Sequence, residues 1–381
     1  MQKVSCEKKG NLRSATIKVE HFPFGSILGV IGTMNLKQLS ERLGLSQTTV
    51  SRALNGYPEV SEKTRKKVHD AARAANYKPN TRARSLATGR AMTIGHVIPV
   101  STQHEMVNPV FGDFVASAGE VYSRHGYDML LSLVPDSEEE AFYRDLKIKG
   151  NVDGIVVHGP RMNDPRIPLL IQLELPFVVH GRASDVKTPF SWVDVANVTA
   201  MQEATTHLTA LGHRRIGLIN GLEQLDFAFR RRAGFLKALA EADIPPDPEL
   251  MVSADMTETF GYDAASAMLA RDTPPTAFVV ASMITALGVR RAIESAGLVL
   301  GRDVSVVTFD DDLSYLRNGT EAEPVFTAAR SSVREAGRRV AAILMSRISD
   351  PLAPPGTEMM PYRFLTGATT GPAPAQIAAE A

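Results

Sequence analysis

The chain is poor in several features that would fix a function early. Its 381 residues include one cysteine, Cys6, and one tryptophan, Trp192, and aromatic side chains make up 6%. A single thiol cannot close an intrachain disulfide and supplies no thiolate metal cluster. The apolar runs fall far short of the roughly 18–20 residues a membrane span needs. The mildly apolar stretch 22–31 lacks the charged flank and cleavage context of a signal peptide, so no membrane partner is expected and the expected location is the cytoplasm. Enzyme signatures are missing too. There is no Walker loop, no G-x-S-x-G elbow, no His-rich metal spacing and no G-x-G-x-x-G after a strand. The chain therefore reads as a non-enzyme without a cofactor. Net charge is also absent, with 42 Lys or Arg against 42 Asp or Glu.

That zero hides an asymmetry. Residues 34–90 hold twelve basic side chains against four acidic ones, whereas residues 91–381 hold 25 against 36. A neutral chain with its positive charge gathered near one end has the electrostatic footprint of a nucleic-acid-binding head. Within that segment Leu36, Leu39 and Leu43 recur at helical spacing. Gly44 can take the left-handed backbone that ends a helix, and Ser46 is a good cap for the next one. In this second helix Val50, Ala53 and Leu54 face inward, leaving Gln47, Thr48, Ser51, Arg52 and Asn55 outward. Ser61 caps a third helix with Val68, Ala71, Ala72 and Ala75 inside and Lys63, Arg65, Lys66 and Lys67 along its first turns; residues 77–80 end it. Two helices joined by a short turn, with hydrogen-bonding side chains at the front of the second, suit the edges of bases in a major groove.

From Thr93 onward short β-branched runs alternate with amphipathic helices. The strand-like runs are 94–97, 128–133, 154–157 and 177–179, then 216–219, 277–280 and 305–309. Helical stretches lie at 114–124, 138–147, 198–211, 230–241, 261–270 and 284–296. This alternation, made twice, predicts two parallel sheets with helices on both faces. The closing segments 325–347 and 362–365 are expected to return to those sheets. Ligands of open α/β sheets sit at the carboxyl ends of strands, which selects Asn108, Phe111, His158, Arg182, Ser282 and Asp310, with Arg231 at a helix start.

The run Leu45-Ser46 through Thr49-Val50-Ser51-Arg52-Ala53-Leu54-Asn55, then Val60-Ser61 with Thr64-Arg65 and Val68, and Asn76-Tyr77-Lys78-Pro79-Asn80 followed by Ala83, Leu86 and Ala87, resembles the lactose-repressor family of bacterial transcription regulators. The likeness runs from Met34 to about Gly371. It implies a helix-turn-helix headpiece at 34–78 and a hinge helix and linker at 79–92. The α/β core at 93–371 would be two Rossmann-like subdomains of the periplasmic-binding-protein type, one at about 93–193 and 325–350, the other at about 194–324 and 355–371. Residues 1–33 fit no part of that pattern and Met34 stands directly before it, which points to a second translation start or a disordered arm. The tail 372–381 reads as disordered.

The resemblance also assigns roles. Gln47, Thr48 and Arg52 would read bases while Ser46, Thr49, Ser51 and Asn55 position the helix on phosphates, with Tyr77 and Asn80 also at the DNA. Arg52 suits a guanine, a pairing worth roughly 1–3 kcal/mol of discrimination. Leu86 would be the hinge wedge that enters the minor groove, with Ala83 keeping paired hinges close. In the core, Arg231 would clamp a ligand's oxygens and Asp310 would accept hydrogen bonds from sugar hydroxyls. Asp311 and Asp312 read as loop or helix-cap carboxylates. Trp192 is either a stacking platform for a sugar ring or a packing residue between subdomains. The pattern departs at Ser282-Met283 and at Gly181, flanked by His180 and Arg182. The function implied is a homodimeric repressor of carbohydrate-utilisation genes that leaves a pseudo-palindromic operator on double-stranded DNA when a saccharide, such as an α-glucoside, binds. The alternatives are a corepressor-type regulator that tightens on DNA with a purine-like ligand, and a transporter's solute-binding protein, which would have no use for Gln47 to Arg52.

Overall fold

The computed structural model describes residues 34–54, 56–77, 89–100 and 107–374. The chain forms two compact units, residues 1–83 and 84–381. The extension 1–33, the end of the tail from 375, and the expected roles of Asn55, Asn80, Ala83 and Leu86 lie outside the described residues.

The first unit contains α1 (Leu36–Leu43), α2 (Gln47–Leu54) and α3 (Glu62–Ala74). Asn35 and Gln38 exchange side-chain to backbone hydrogen bonds of 2.9 Å and close a capping box at the start of α1. Gly44 ends that helix at φ +66, a backbone that glycine takes without strain. Leu39, Val50, Ala53, Val60, Val68 and Ala72 make the small core. All but Val60, which lies in the loop before α3, are positions that the helical spacing assigns to the inside.

The second unit begins with β1 (Thr93–Pro99), α4 (Pro109–Arg124), β2 (Asp128–Val134), α5 (Glu139–Lys149), β3 (Gly154–Val157), α6 (Arg166–Gln172), β4 (Phe177–His180) and β5 (Trp192–Val195). It continues with α7 (Asn197–Ala210), β6 (Ile216–Asn220), α8 (Asp226–Glu241), β7 (Met251–Ser253), α9 (Glu258–Leu269), β8 (Ala277–Val280), α10 (Met283–Ser295) and β9 (Ser305–Asp310). It closes with β10 (Thr327–Arg330), α11 (Val333–Ser349), β11 (Thr357–Met360) and β12 (Arg363–Leu365). One sheet runs β11-β5-β4-β3-β1-β2 and is parallel throughout. The other runs β12-β10-β9-β8-β6-β7, parallel except that β12 opposes β10. The central strands are buried on both faces, as the continuous apolar runs of β3 and β8 require.

Two boundaries differ from expectation. The segment 325–350 does not return whole to the first lobe: β10 lies in the second sheet and only α11 goes back, packing on α4. The segment 355–371 is also split, because β11 is the edge of the first sheet while β12 joins the second. Short strands look alike in sequence, and what assigns them is the sheet edge left open by the rest of the fold. The close approach of α11 to α4 is made at Gly337, where an added Cβ would stand 2.5 Å from the carbonyl oxygen of Phe114. The tail is held further than expected, since the Ala373 amide donates to the Leu211 carbonyl at 2.8 Å.

Candidate functional site

In the head, α2 is presented by its cap. Ser46 Oγ accepts the Thr49 amide hydrogen at 3.0 Å and meets Thr49 Oγ1 at 2.8 Å, so both hydroxyls serve the helix start. Val50 and Ala53 are fully buried, which turns the opposite face outward. On it Gln47, Thr48 and Arg52 are exposed, whereas Thr49 and Ser51 are half-buried. Arg52 makes no ion pair among the described residues. Arg65 is spent on structure: it donates to Glu62 at 3.1 Å and to the Tyr57 carbonyl at 3.2 Å, holding the loop before α3. Tyr77 packs against the small core, and burial raises its phenol above the usual range.

In the core a cavity of about 390 Å³ lies at the carboxyl ends of strands from both sheets. The first lobe contributes Asn108, Phe111, Phe114, His158 and His180; the second contributes Asn197, Phe227, Arg231, Met256, Ser282, Ile284 and Asp311. Of the residues expected from sequence, Asn108, Phe111, His158, Arg231 and Ser282 are brought together here. Two of them also cap helices: Asn108 Oδ1 accepts the Val110 amide at 3.0 Å, and Ser282 Oγ the Ile284 amide at 3.2 Å.

Arg231 lies against two rings, its guanidinium carbon 4.0 Å from the centre of Phe309 and 5.0 Å from that of Phe227. Its Nε donates to Asn197 Oδ1 at 2.9 Å and one terminal nitrogen donates to the Ala281 carbonyl. Burial draws its pKa down to about 10, against the pull of Asp311.

Three expected ligands are placed elsewhere. Asp310 is buried and committed, accepting from Arg330 Nε at 2.8 Å and from the Asp312 amide at 2.9 Å, and it is not among the cavity-lining residues. The reason is that β9 runs one residue further than the apolar run, pairing Asp310 with Arg330, so alternation gives the cavity to the next side chain. Asp311 takes that place. Its carboxylate has no hydrogen-bond partner among the described residues, and burial pushes its pKa up to about 7, with Arg231 opposing the shift and Asp310 reinforcing it. Arg182 donates to Asp194 Oδ2 at 2.9 Å and lies 5.2 Å from the Trp192 ring centre. Trp192 packs against the first lobe's core beneath it and is not among the cavity-lining residues.

Sequence reasoning named His158 but not the buried histidine beside it, His96, or the packing of His180. His180 stacks on Phe114 with ring centres 4.4 Å apart, and His96, inside β1, lies against His158. Burial pushes His96 and His180 down to about 4 and holds His158 well below the usual imidazole value. Around the cavity the lobes are tied directly. The Asp226 amide donates to the Pro160 carbonyl at 2.9 Å, Arg230 Nη1 to Asp194 Oδ2 at 2.7 Å, and the Ser314 hydroxyl to Asp113 Oδ1 at 2.7 Å.

A basic three-helix unit with a polar outward face, on the same chain as a two-lobed core around a ligand-sized cavity, defines a ligand-responsive DNA-binding regulator. Comparison with known proteins agrees. Residues 35–80 match the bacterial regulatory proteins of the lacI family, and residues 205–370 match the periplasmic binding protein-like domain. The HTH-type transcriptional regulator AglR of Rhizobium meliloti (strain 1021) is 44% identical over 341 residues, covering 90% of this chain and 95% of that one. Among solved structures, the lac repressor dimer bound to operator and the anti-inducer ONPF is similar with a TM-score of 0.73 at 26% identity, covering 89% and 99% of the two chains. The complex of the transcriptional regulator CelR with cellobiose gives 0.65 at 26% identity, covering 88% and 99%. The chain belongs to the lacI family of bacterial regulatory proteins.

Proposed function

We propose that the protein is a homodimeric repressor that holds a two-fold symmetric DNA site through its head and releases it when an uncharged saccharide fills the core cavity. The observation that carries this reading is that Arg231 and Asp311, whose carboxyl group has no hydrogen-bond partner among the described residues, both line a cavity that is otherwise rich in rings. A guanidinium and a carboxyl group lining the same cavity favour a neutral ligand. A hydroxyl group can donate to the carboxylate while its neighbour accepts from the guanidinium, and the C–H face of a sugar ring fits against Phe111, Phe114 or Phe227. The similar structures fit this reading, one being a dimer on its operator and another a complex with cellobiose. The dimer is further supported by β2, the outer strand of its sheet, where Leu131 and Leu133 remain 38% and 49% exposed. Ligand then acts through its preference for one arrangement of the two lobes, and changes DNA affinity no further than that preference allows.

The test is fluorescence anisotropy with a labelled palindromic duplex and with random duplex, repeated in maltose, sucrose, trehalose, cellobiose and raffinose. Preferential binding to a palindrome, lost in one sugar that also raises the melting temperature, is the expected result. Tightening by the ligand would make the protein a corepressor-type member instead. Equal binding to palindromic and random duplex would overturn the reading.

A further inference from the structure

Behind the first-lobe wall, His158 leads into buried polar groups that do not line the cavity, His96 and Tyr122. His158, at the end of β3, lines the cavity with Phe111 and Phe114 edge-on to it at 5.1 and 5.0 Å. Its carbonyl accepts from Arg166 at 2.9 Å. Its Nε2 lies 2.9 Å from Nδ1 of His96, which is fully buried, and the other nitrogen of His96 lies 3.3 Å from the hydroxyl of Tyr122 in α4. Nδ1 of His158 has no protein partner among the described residues.

Burial, the neighbouring imidazoles and Arg166 all keep the His158 ring neutral, and burial alone keeps His96 neutral. Each ring therefore carries one hydrogen, and the two contacts can be filled in only two ways. In the first, Tyr122 donates to His96 Nε2, His96 donates from Nδ1 to His158 Nε2, and the His158 hydrogen is left on Nδ1. In the second, every donor is reversed, and the phenol accepts from His96 while its own hydrogen has nowhere to go. Tyr122 is 1% exposed and has no other hydrogen-bond partner among the described residues. A buried donor left unmade carries the full desolvation penalty, so the first arrangement wins.

We infer that Tyr122 and His96 are positioning residues that lock His158 in its Nδ1–H form, so that the first-lobe wall offers a ligand a hydrogen-bond donor. The second-lobe wall offers the acceptor Asp311. An effector must then turn an oxygen lone pair toward His158 and a hydroxyl hydrogen toward Asp311. A ligand that presents only N–H donors on the His158 side, such as an alkylammonium group, is excluded. This ligand rule rests on the saccharide reading, but the tautomer does not.

The deciding measurement is therefore made on the free, full-length protein. Long-range proton–nitrogen correlation spectra of 15N-histidine-labelled protein at pH 7 separate the two imidazole forms, and His158→Gln and His96→Gln assign the signals. The expected result is Nδ1–H for both His96 and His158. In Tyr122→Phe the buried donor is gone, His96 is free to reverse, and His158 should shift to a mixture containing the Nε2–H form. A melting curve of the variant separates this from loss of fold. Nε2–H at His158 in the parent overturns the inference, even if Tyr122→Phe does not fold. An unchanged Nδ1–H in a folded Tyr122→Phe removes the positioning role.

Discussion

The head and the core place their working side chains in opposite settings. On α2 the side chains expected to read DNA, Gln47, Thr48 and Arg52, stand exposed on one short helix whose caps and inner face are all within a few residues of them. In the core, the candidate ligand groups come from β4, α8 and the segments after β3 and β9, and several polar side chains among them, Asn108, Asn197 and Ser282, are already hydrogen-bonded within the protein. On the head, the candidates are marked by facing outward from the start of α2. In the core the mark is a buried polar group that the protein itself leaves unpaired, and that depends on partners far away in sequence.

The neighbouring aspartates of the core give the sharpest way to break this contrast. Asp310 is 1% exposed and bonded to Arg330, whose side chain is 14% exposed. Removing one partner of a buried ion pair strands the other charge, at a cost of about 3–5 kcal/mol. Asp310→Ala should therefore lower the core's stability by about that amount in a denaturant titration. A variant as stable as the parent that no longer responds to sugar would return the ligand role to Asp310.

On the head the expected loss is smaller and of a different kind. Arg52→Ala removes a side chain with no role in packing, so melting of the core should not move. Affinity for the symmetric duplex should fall by about 1–3 kcal/mol, the worth of one bidentate contact to a guanine. Sequence preference should relax at that one base pair. A uniform loss over all sequences, with a reduced dependence on salt, would make Arg52 a phosphate contact instead.

These two variants also show where the sequence was legible. The head is written locally: Gly44, Ser46 and the spacing of Leu39, Val50 and Ala53 determine three helices and their outward face. Alternation of strands and helices was enough for the two largely parallel sheets, and the rule of strand ends selected His158 and Ser282, which line the cavity. It failed at Asp310 because Arg330, twenty residues later, extends β9 by one residue and reverses which aspartate faces the cavity. His96 carried no signal in the apolar run of β1, since only the pairing of β1 with β3 brings it beside the residue that follows that strand. The edge strand β11 was misassigned for a similar reason: its neighbour β5 lies far back in the chain.

The smallest effect tests the same contrast from the other side. Asp311 has its pKa raised from 3.8 to about 7, chiefly because burial disfavours the charged carboxylate. Between those values the folded protein holds a proton that the unfolded chain has released. Stability contributed by this group therefore falls as pH rises from about 4 to about 7 and is level outside that window. Asp311→Asn should melt with the parent at pH 4 and above it at pH 8, by about 1–2 kcal/mol once water in the cavity is allowed for. The same variant should bind the effector more weakly at pH 8, where the parent's carboxylate is ionised and accepts more strongly from a hydroxyl. Matching melting curves at both pH values would mean that Asp311 finds a partner within the protein, and the rule that the core marks its ligand residues by leaving them unpaired would fail at its best example.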